Sequence, residues 1–342
     1  GHSLSATRLL AQINAFAKTQ LSLAQFFQEP TIAAVAQLIN AATGETYAIP
    51  LVKASRDSAI ALSYAQQRLW IIEQLNPHSS AYNIPLALKL IGNLDKSALK
   101  KSLLAIIDRH ESLRTIITTD ANGVAQQAFL SSDNFIIEEV DTRPYGLTDA
   151  QLQAQFSEFA AQHFVFDGSW LLRIRLITVS DDCHALLVCM HHIISDGWSL
   201  GILQQELSAL YQAFKYQHSA KLPLLNYQYA DYSVWQQQLL QAPEQQQHLD
   251  YWIKQLAGIP ECINLPLDKP RPAQQSFNGG MVITELSETL SRGLRQFSQQ
   301  QQVSLYSTLL ALYSMLLSKY AQQQDICIGT PVSGREHSDL QA

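Results

Sequence analysis

The stretch that decides the fold is MHHIISDGW, residues 190–198. It follows the apolar run CHALLVCM (183–190), which predicts a buried strand. His191 and His192 therefore lie where a strand gives way to a loop, a place where folds often present reactive side chains. Because side chains alternate between the faces of a strand, we expect the two imidazoles to point in opposite directions. A helix is predicted next, from residues at helical spacing: Leu200, Leu203, Leu207, Leu210 and Phe214.

The spacing H-H-x-x-x-D-G continues through Asp196 and Gly197. From average residue usage it should arise by chance in about one chain in a thousand of this length. We expect Gly197 to supply a positive φ in a turn, and Asp196 to hold an arginine and brace the loop. Metal binding is disfavoured, because neighbouring histidines of one strand face opposite ways and no further ligand stands at ligand spacing.

The first 58 residues contain two segments with different sequence patterns. Residues 1–42 carry apolar residues at helical intervals and predict a small all-helical unit, whose last helix begins near Thr31. About forty residues rarely make an independent core, so we expect the chain to be a segment of a longer protein. Residues 43–58 have no sustained period and contain a glycine and a proline, which predicts a linker.

The remaining residues form two blocks of mixed periodicity, which predict two α/β lobes with a boundary near residue 230. The predicted helices are 62–75, 95–110 with Asp95 as N-cap, 148–163, 198–214, 230–256, 288–301 and 304–320. The predicted strands are 82–92, 113–118, 125–130, 135–140, 171–179, 183–190, 281–286 and 325–332.

Composition excludes several classes of protein. Hydrophobic residues make up 47% and charged residues 15% of the chain, which excludes disorder throughout. A net charge of -6 gives no general attraction to nucleic acid or anionic membranes, and no apolar run reaches the ~18 residues of a membrane span. We expect a cytoplasmic protein. Its cysteines form no C-x-x-C pair and predict buried free thiols: Cys183, Cys189, Cys262 and Cys327.

HHIISDG resembles the signature of the condensation domain family of nonribosomal peptide synthetases, which shares its fold with chloramphenicol acetyltransferase. SYAQQRLW and MHHIISDGWS are similar to the subtype that joins an L-residue donor to an L-residue acceptor (LCL type). The resemblance implies a two-lobed α/β fold over residues 59–342, with an N-terminal lobe to about 230 and an incomplete second lobe at 231–342. Four further segments resemble the family's other core motifs, in the family's order: SYAQQRLW (63–70), RHESLRT (109–115), YADYSVW (229–235) and IGTPVSGR (328–335).

GHSL at 1–4 and FFQEPTIAAVAQLI at 26–39 resemble the attachment motif and the closing helices of a peptidyl carrier domain. The resemblance implies that residues 1–42 are the C-terminal part of an all-α carrier and that Ser3 carries 4′-phosphopantetheine. A helix N-cap is the second interpretation of Ser3. The implied partners are the donor and acceptor carrier domains and an adjacent adenylation domain, with no metal, nucleic acid or membrane.

The implied reaction is amide formation between a carrier-bound donor thioester and the amine of a carrier-bound acceptor. His192 is the predicted catalytic residue, either as general base or as a hydrogen-bonding group that positions the amine and stabilises the tetrahedral intermediate. Three neighbours complete the catalytic motif. His191 is expected to pack beneath His192, Asp196 to support the loop, and the backbone of Gly197 to approach the substrate closely, with its N–H facing the oxyanion.

The structural residues are implied in the same way. Asp196 is expected to pair with Arg335 or Arg68, and Trp198 to pack behind the loop. Two more motif residues are expected to support the fold: Arg114 and Asp231.

Two alternatives remain open. An epimerisation domain uses the same scaffold and the same double histidine, although its first motif and the residues after D-G usually differ from SYAQQRLW and WSLGIL. A non-catalytic condensation-like module would recruit another enzyme or gate carriers, and the intact HHIISDG motif disfavours it.

Overall fold

The chain divides into two compact units in the computed structural model. One comprises residues 49–241, called the sheet unit below, and the second comprises residues 1–48 with 242–341. The predicted attachment residue Ser3 and most of the residues before 21 lie outside the described part. The residues that the structure describes are 9–10, 12–14, 16–17, 19, 21, 23–41, 49–77, 79–146, 148–242, 244–273, 279–332, 334–335 and 338–340.

The elements follow the predicted order closely. The strands are β1 (Ile60–Ala61), β2 (Asn83–Ile91), β3 (Thr115–Thr119), β4 (Ala125–Phe129), β5 (Glu138–Asp141), β6 (Leu172–Ser180) and β7 (Cys183–His191). The helices are α1 (Leu23–Gln28), α2 (Ile32–Ala41), α3 (Tyr64–Leu75), α4 (Lys96–Arg109), α5 (Asp149–Ala161), α6 (Gly197–Lys215), α7 (Tyr229–Leu240), α8 (Glu244–Gln255), α9 (Glu288–Gln300) and α10 (Leu305–Ala321).

The sheet unit is organised around a four-stranded sheet of order β2-β7-β6-β5. β7 pairs antiparallel with both of its neighbours, and β5 runs parallel to β6. The register sets Asn83 opposite His191, and Val188 opposite both Leu86 and Ile174. A smaller antiparallel sheet has the order β1-β4-β3.

Helices cover both faces of the larger sheet. Leu86, Val188 and Ile174 face apolar side chains of α4 and α6, and this face holds the core of the sheet unit. The opposite face meets α5, where the Asn83 amide donates to Ala160 O (2.7 Å) at the helix end. β7 is an inner strand of this sheet, and helices pack on both of its faces. Its C-terminal end is therefore held by packing from two sides.

The helix starts agree with the predicted capping residues. Asp95 Oδ1 accepts from Ala98 N (2.9 Å) at α4, and Thr31 Oγ1 accepts from Ala34 N (3.1 Å) at α2. Ser63 forms a capping box with Gln66 at the start of α3. Each cap satisfies an N–H group that the first helical turn leaves without an intrahelical partner.

The regular elements described in the second unit are all helices, and two predicted strands are wrong. Residues 281–286 and 325–332 form no strand. A strand needs a neighbour for its N–H and C=O groups, and no described residue of this unit offers one. The prediction that the cysteines are buried is wrong for Cys262 and Cys327, which are exposed, and holds for Cys189 in β7, while Cys183 is half-buried. All four cysteines are free thiols.

None of the helices in the described part of the chain is long and apolar enough to cross a membrane.

Candidate active site

The two histidines stand at the end of β7, where the strand ladder continues for one residue beyond the last pair. His191 N donates to Leu171 O (2.9 Å) and His192 N donates to Tyr82 O (2.8 Å). Ile194 N then donates to His191 O (3.0 Å) and closes a turn. His191 is buried, with 2% of its surface exposed, and His192 is exposed. This difference in burial agrees with residues on opposite faces of a strand, and the opposite directions of the two side chains stay a prediction.

His191 occupies an aromatic cage on the α5 face of the sheet. Its ring centroid lies 5.0 Å from that of Phe166, 6.1 Å from Phe164 and 6.4 Å from Tyr82. Its Nδ1 accepts a hydrogen bond from Ile193 N (3.1 Å), so the neutral ring carries its proton on Nε2. Burial, with a smaller contribution from His192, lowers the pKa of His191 to about 4. The ring is therefore neutral near pH 7.

Gln66 holds the same loop from the other side, and nothing in the sequence assigned it this part. Its Nε2 donates to Ile193 O (3.3 Å) and lies 3.4 Å from Gln127 Oε1, while its Oε1 accepts from Ser63 N (3.0 Å). Gln66 is 2% exposed, so these bonds are shielded from water. The peptide group on each side of Ile193 is thus held by a side chain. Gln66 thus caps α3 together with Ser63 and also contacts the loop at Ile193.

Asp196 is the N-cap of α6 rather than a turn residue. Its Oδ1 accepts from Ser199 N (2.8 Å) and from Ser199 Oγ (2.6 Å). Gly197 is the first helical residue, and its φ is not positive, which corrects the prediction of a left-handed turn. The first residue of a helix has helical φ and ψ, so no left-handed residue is needed here. Trp198 is half-buried in the first turn.

The backbone at Gly197 is open. A Cβ built on it meets no heavy atom within 4 Å. A ligand can therefore approach the N-terminus of α6 closely at this residue. Packing within the protein does not itself require a glycine there.

Gly197→Ala is expected to leave the melting temperature of the protein almost unchanged, because the added methyl group meets no protein atom. If the substrate passes this point, the methyl group should slow amide formation about tenfold or more. The matched control is Gly293→Ala, another helical glycine whose added Cβ meets nothing within 4 Å. Equal rates for the two variants would contradict a close approach of substrate at Gly197.

The predicted arginine partner of Asp196 stays a prediction. Arg68 is exposed on α3 and makes no ion pair with any carboxylate in the described part of the chain. Arg335 belongs to the second unit, where its Nη1 donates to Leu340 O (2.9 Å).

Asp231 supports the fold, as expected for its motif. It is 2% exposed, and its Oδ1 accepts from Ala54 N (2.8 Å) and Arg56 Nη1 (2.7 Å), while Oδ2 accepts from Gln228 N (2.8 Å). Burial alone would raise the pKa of Asp231, but the hydrogen bonds from Arg56 and the backbone outweigh it and lower the pKa. Arg114 has a similar structural part, with Nη1 donating to Leu130 O (3.2 Å).

Asp231→Asn is expected to destabilise the protein by about 1–3 kcal/mol, because the buried N–H groups and the cation of Arg56 lose a charged acceptor. Asp149→Asn is the matched control, since the Asp149 carboxylate is 89% exposed and its ion pair with Lys89 is long, at 3.5 Å. That change should cost at most about 1 kcal/mol. The free energy of unfolding in urea measures both, and equal costs would show that the buried network adds no stability.

Residues in or next to the SYAQQRLW motif (63–70) form hydrogen bonds with residues in or next to the YADYSVW motif (229–235). Tyr229 Oη and Ser63 Oγ share a hydrogen bond of 2.8 Å, and Tyr64 N donates to Gln236 Oε1 (3.0 Å). Ser233 Oγ donates to Ala61 O (2.6 Å). The segment that carries Gln66 is thereby attached to α7.

The RHESLRT motif (109–115) holds α6 in place through an ion pair. Glu206 of that helix is 6% exposed and accepts from Arg109 Nε (3.0 Å) and contacts His110 Nε2 (2.7 Å). Burial alone would raise the pKa of Glu206. The hydrogen bonds and charges of His110 and Arg109 outweigh burial, so the pKa is lowered. The helix that begins at the candidate site is therefore tied to the end of α4.

No group of three or more His, Cys, Asp or Glu side chains in the described part of the chain is arranged to hold a metal ion.

The mixed α/β fold is that of the condensation domains of nonribosomal peptide synthetases. Residues 57–342 match the family model described as "Condensation domain", and residues 1–39 match the one described as "Phosphopantetheine attachment site". The chain belongs to the condensation domain family.

Relatives and solved structures agree with this membership. The chain is 37% identical over 344 residues to malpinin synthetase of Mortierella alpina and 35% identical over 341 residues to tyrocidine synthase 3 of Brevibacillus parabrevis. Both alignments cover 100% of this chain but only 4% and 5% of those proteins. A holo four-domain nonribosomal peptide synthetase, bound to AMP and glycine, superposes with a TM-score of 0.73 at 25% identity, covering 83% of this chain and 21% of that one.

Proposed function

We propose that this chain forms amide bonds between two carrier-bound substrates, with His192 as the catalytic residue. The observation that carries the proposal is the exposed imidazole of His192 next to the buried, neutral His191 within the family's signature. The acceptor amine nitrogen attacks the donor thioester carbonyl, a C–N bond forms and the C–S bond breaks. The nitrogen loses one proton, and the departing sulfur gains one to become a thiol.

A general base at His192 matters after the attack rather than before it. An α-amine has an ordinary pKa of about 8, so making the neutral nucleophile near pH 7 costs about 1 kcal/mol. Once the C–N bond forms, the nitrogen becomes acidic, and an imidazole within hydrogen-bond reach can take its proton. The same imidazole can instead hold the amine in place. We further propose that the N–H of Gly197 donates toward the developing oxyanion, and the open space at this first residue of α6 supports that role.

The proposed partners are the donor and acceptor carrier domains and an adenylation domain of the same synthetase. The match of residues 1–39 to the attachment-site family supports a carrier directly before the condensation domain. Ser3 is the proposed site of the 4′-phosphopantetheine arm, which supplies the thiol that holds the substrate as a thioester. The subtype joining two L-residues remains part of this proposal.

The direct test uses the synthetase module that contains this chain, with both carriers loaded. Mass spectrometry should detect the amide product on the acceptor carrier and free thiol on the donor carrier. One loaded carrier incubated alone in D₂O distinguishes the epimerisation alternative, which would exchange the α-proton. Carrier binding without either product would identify a non-catalytic module and overturn the proposal.

A further inference from the structure

An apolar cavity of about 130 Å³ lies inside the sheet unit, between the larger sheet and helices α4 and α6. Leu86, Val188 and Ile174 line it from the sheet, and Ile106 and Leu203 line it from the two helices. The polar side chain among its lining residues is that of Gln204, which is exposed. Neither histidine lines the cavity, so it is distinct from the site described above.

The size and chemistry of the cavity define what it can bind. Protein cores are close-packed, and voids larger than a water molecule are few. Apolar cavities of about 150 Å³ stay dry and accept benzene. This cavity therefore suits a branched aliphatic or aromatic hydrocarbon group, and its polar lining is too sparse to hold ordered water.

The cavity begins close to the catalytic histidine. Met190 lines it and precedes His192 by two residues on the same strand path. His192 follows the last residue of β7, and its N–H continues the strand ladder to Tyr82 O (2.8 Å), so the main chain from Met190 to His192 spans about 7 Å. The opposite wall is α6, which starts directly after the site and lines the cavity from Leu200 onward.

The cavity also has an opening. Gly201 and Gln204 on α6 are exposed although both line it, and Leu200 and Leu203 beside them are only half-buried. A substrate group can therefore enter at the N-terminal half of α6, the helix that begins directly after the site.

We propose that this cavity binds the apolar side chain or acyl end of a thioester substrate that reacts at His192, and so selects among substrates by size. This inference rests on the proposed function, because it assigns a second contact to the same reaction.

The test closes the opening without disturbing the core. Gly201→Leu adds a side chain where a built Cβ meets no heavy atom within 4 Å, and replacing glycine within a helix favours the helix. The control is Gln205→Leu, an exposed residue of the same helix that does not line the cavity. Both variants are compared in the full module, with leucyl and alanyl thioesters tried in the donor and in the acceptor position.

In one of the two positions, the unaltered protein should prefer leucyl over alanyl substrate in kcat/KM. Gly201→Leu should reduce that preference about tenfold or more, and Gln205→Leu should retain it. Equal losses for both substrates in Gly201→Leu, or an unchanged preference, would overturn the inference.

A second measurement does not depend on catalysis. Benzene should raise the melting temperature of the unaltered chain and of Gln205→Leu. The absence of a shift in these two proteins would overturn the inference. If the unaltered module forms no amide with any substrate, the proposed function fails, and the benzene measurement alone decides whether the cavity is a binding site.

Discussion

His192→Ala is expected to lower the rate of amide formation by about 10²- to 10⁴-fold, the usual contribution of a general acid–base group. The fold should survive, because the bond that His192 makes to Tyr82 O uses its backbone N–H, which alanine keeps. The rate is measured by mass spectrometry in the module with both carriers loaded. The control is His218→Ala, since His218 is exposed and its ring contacts the neighbouring Ser219 O.

A third variant separates the two roles of the imidazole. Glutamine can donate and accept hydrogen bonds but takes up no proton near pH 7. If His192 acts as a general base, His192→Gln should be as slow as His192→Ala. If His192 positions the amine, His192→Gln should recover a large part of the rate. Near-normal amide formation by His192→Ala would contradict the catalytic assignment altogether.

The stability of the protein should fall by about 3 kcal/mol on acidification because of His191 alone, given that one pKa unit corresponds to about 1.4 kcal/mol. In the folded protein the pKa of His191 is about 4, against 6.5 for an ordinary histidine. Between these two values the unfolded chain binds a proton that the folded chain does not. The free energy of unfolding therefore decreases as the pH falls from about 6.5 to about 4, and this contribution is constant below that.

The comparison that isolates this effect is His191→Gln, whose amide oxygen can still accept from Ile193 N but cannot titrate. Urea unfolding at pH 7, 5.5 and 4.5 should show a steeper decline for the unaltered protein than for His191→Gln. His218→Gln changes an exposed histidine and should parallel the unaltered protein. Parallel curves for the unaltered protein and His191→Gln would show that His191 is not kept neutral by its cage.

Elements with a strong local signal could be predicted from the sequence. The helix after the histidines was expected over 198–214 and is α6, because its leucines repeat at helical spacing and its start is capped by the preceding aspartate. The strand 183–190 is β7, extended by one residue. The contrast between buried His191 and exposed His192 also agrees with local geometry alone, since alternation along a strand needs no knowledge of distant residues.

The errors arise where structure depends on residues far along the chain. The runs at 281–286 and 325–332 have the composition of strands, but a strand forms only with a partner, and the described residues of the second unit provide none. Gln66 was missed for the same reason. Its contact with Ile193 joins residues 127 positions apart, and no periodicity or motif spacing reports such a pair.

Two side chains form hydrogen bonds with the main chain of Ile193. Gln66 donates to its carbonyl oxygen, and His191 accepts from its N–H. Any amino acid except proline offers these two groups, so the restraint makes no demand on the identity of the side chain between them. A position written as "x" in the H-H-x-x-x-D-G signature can thus be held firmly in space although its amino acid is free to vary. The interval between the second histidine and the aspartate is restrained through peptide groups, and its side chains need only suit the apolar surroundings in which Ile193 lies.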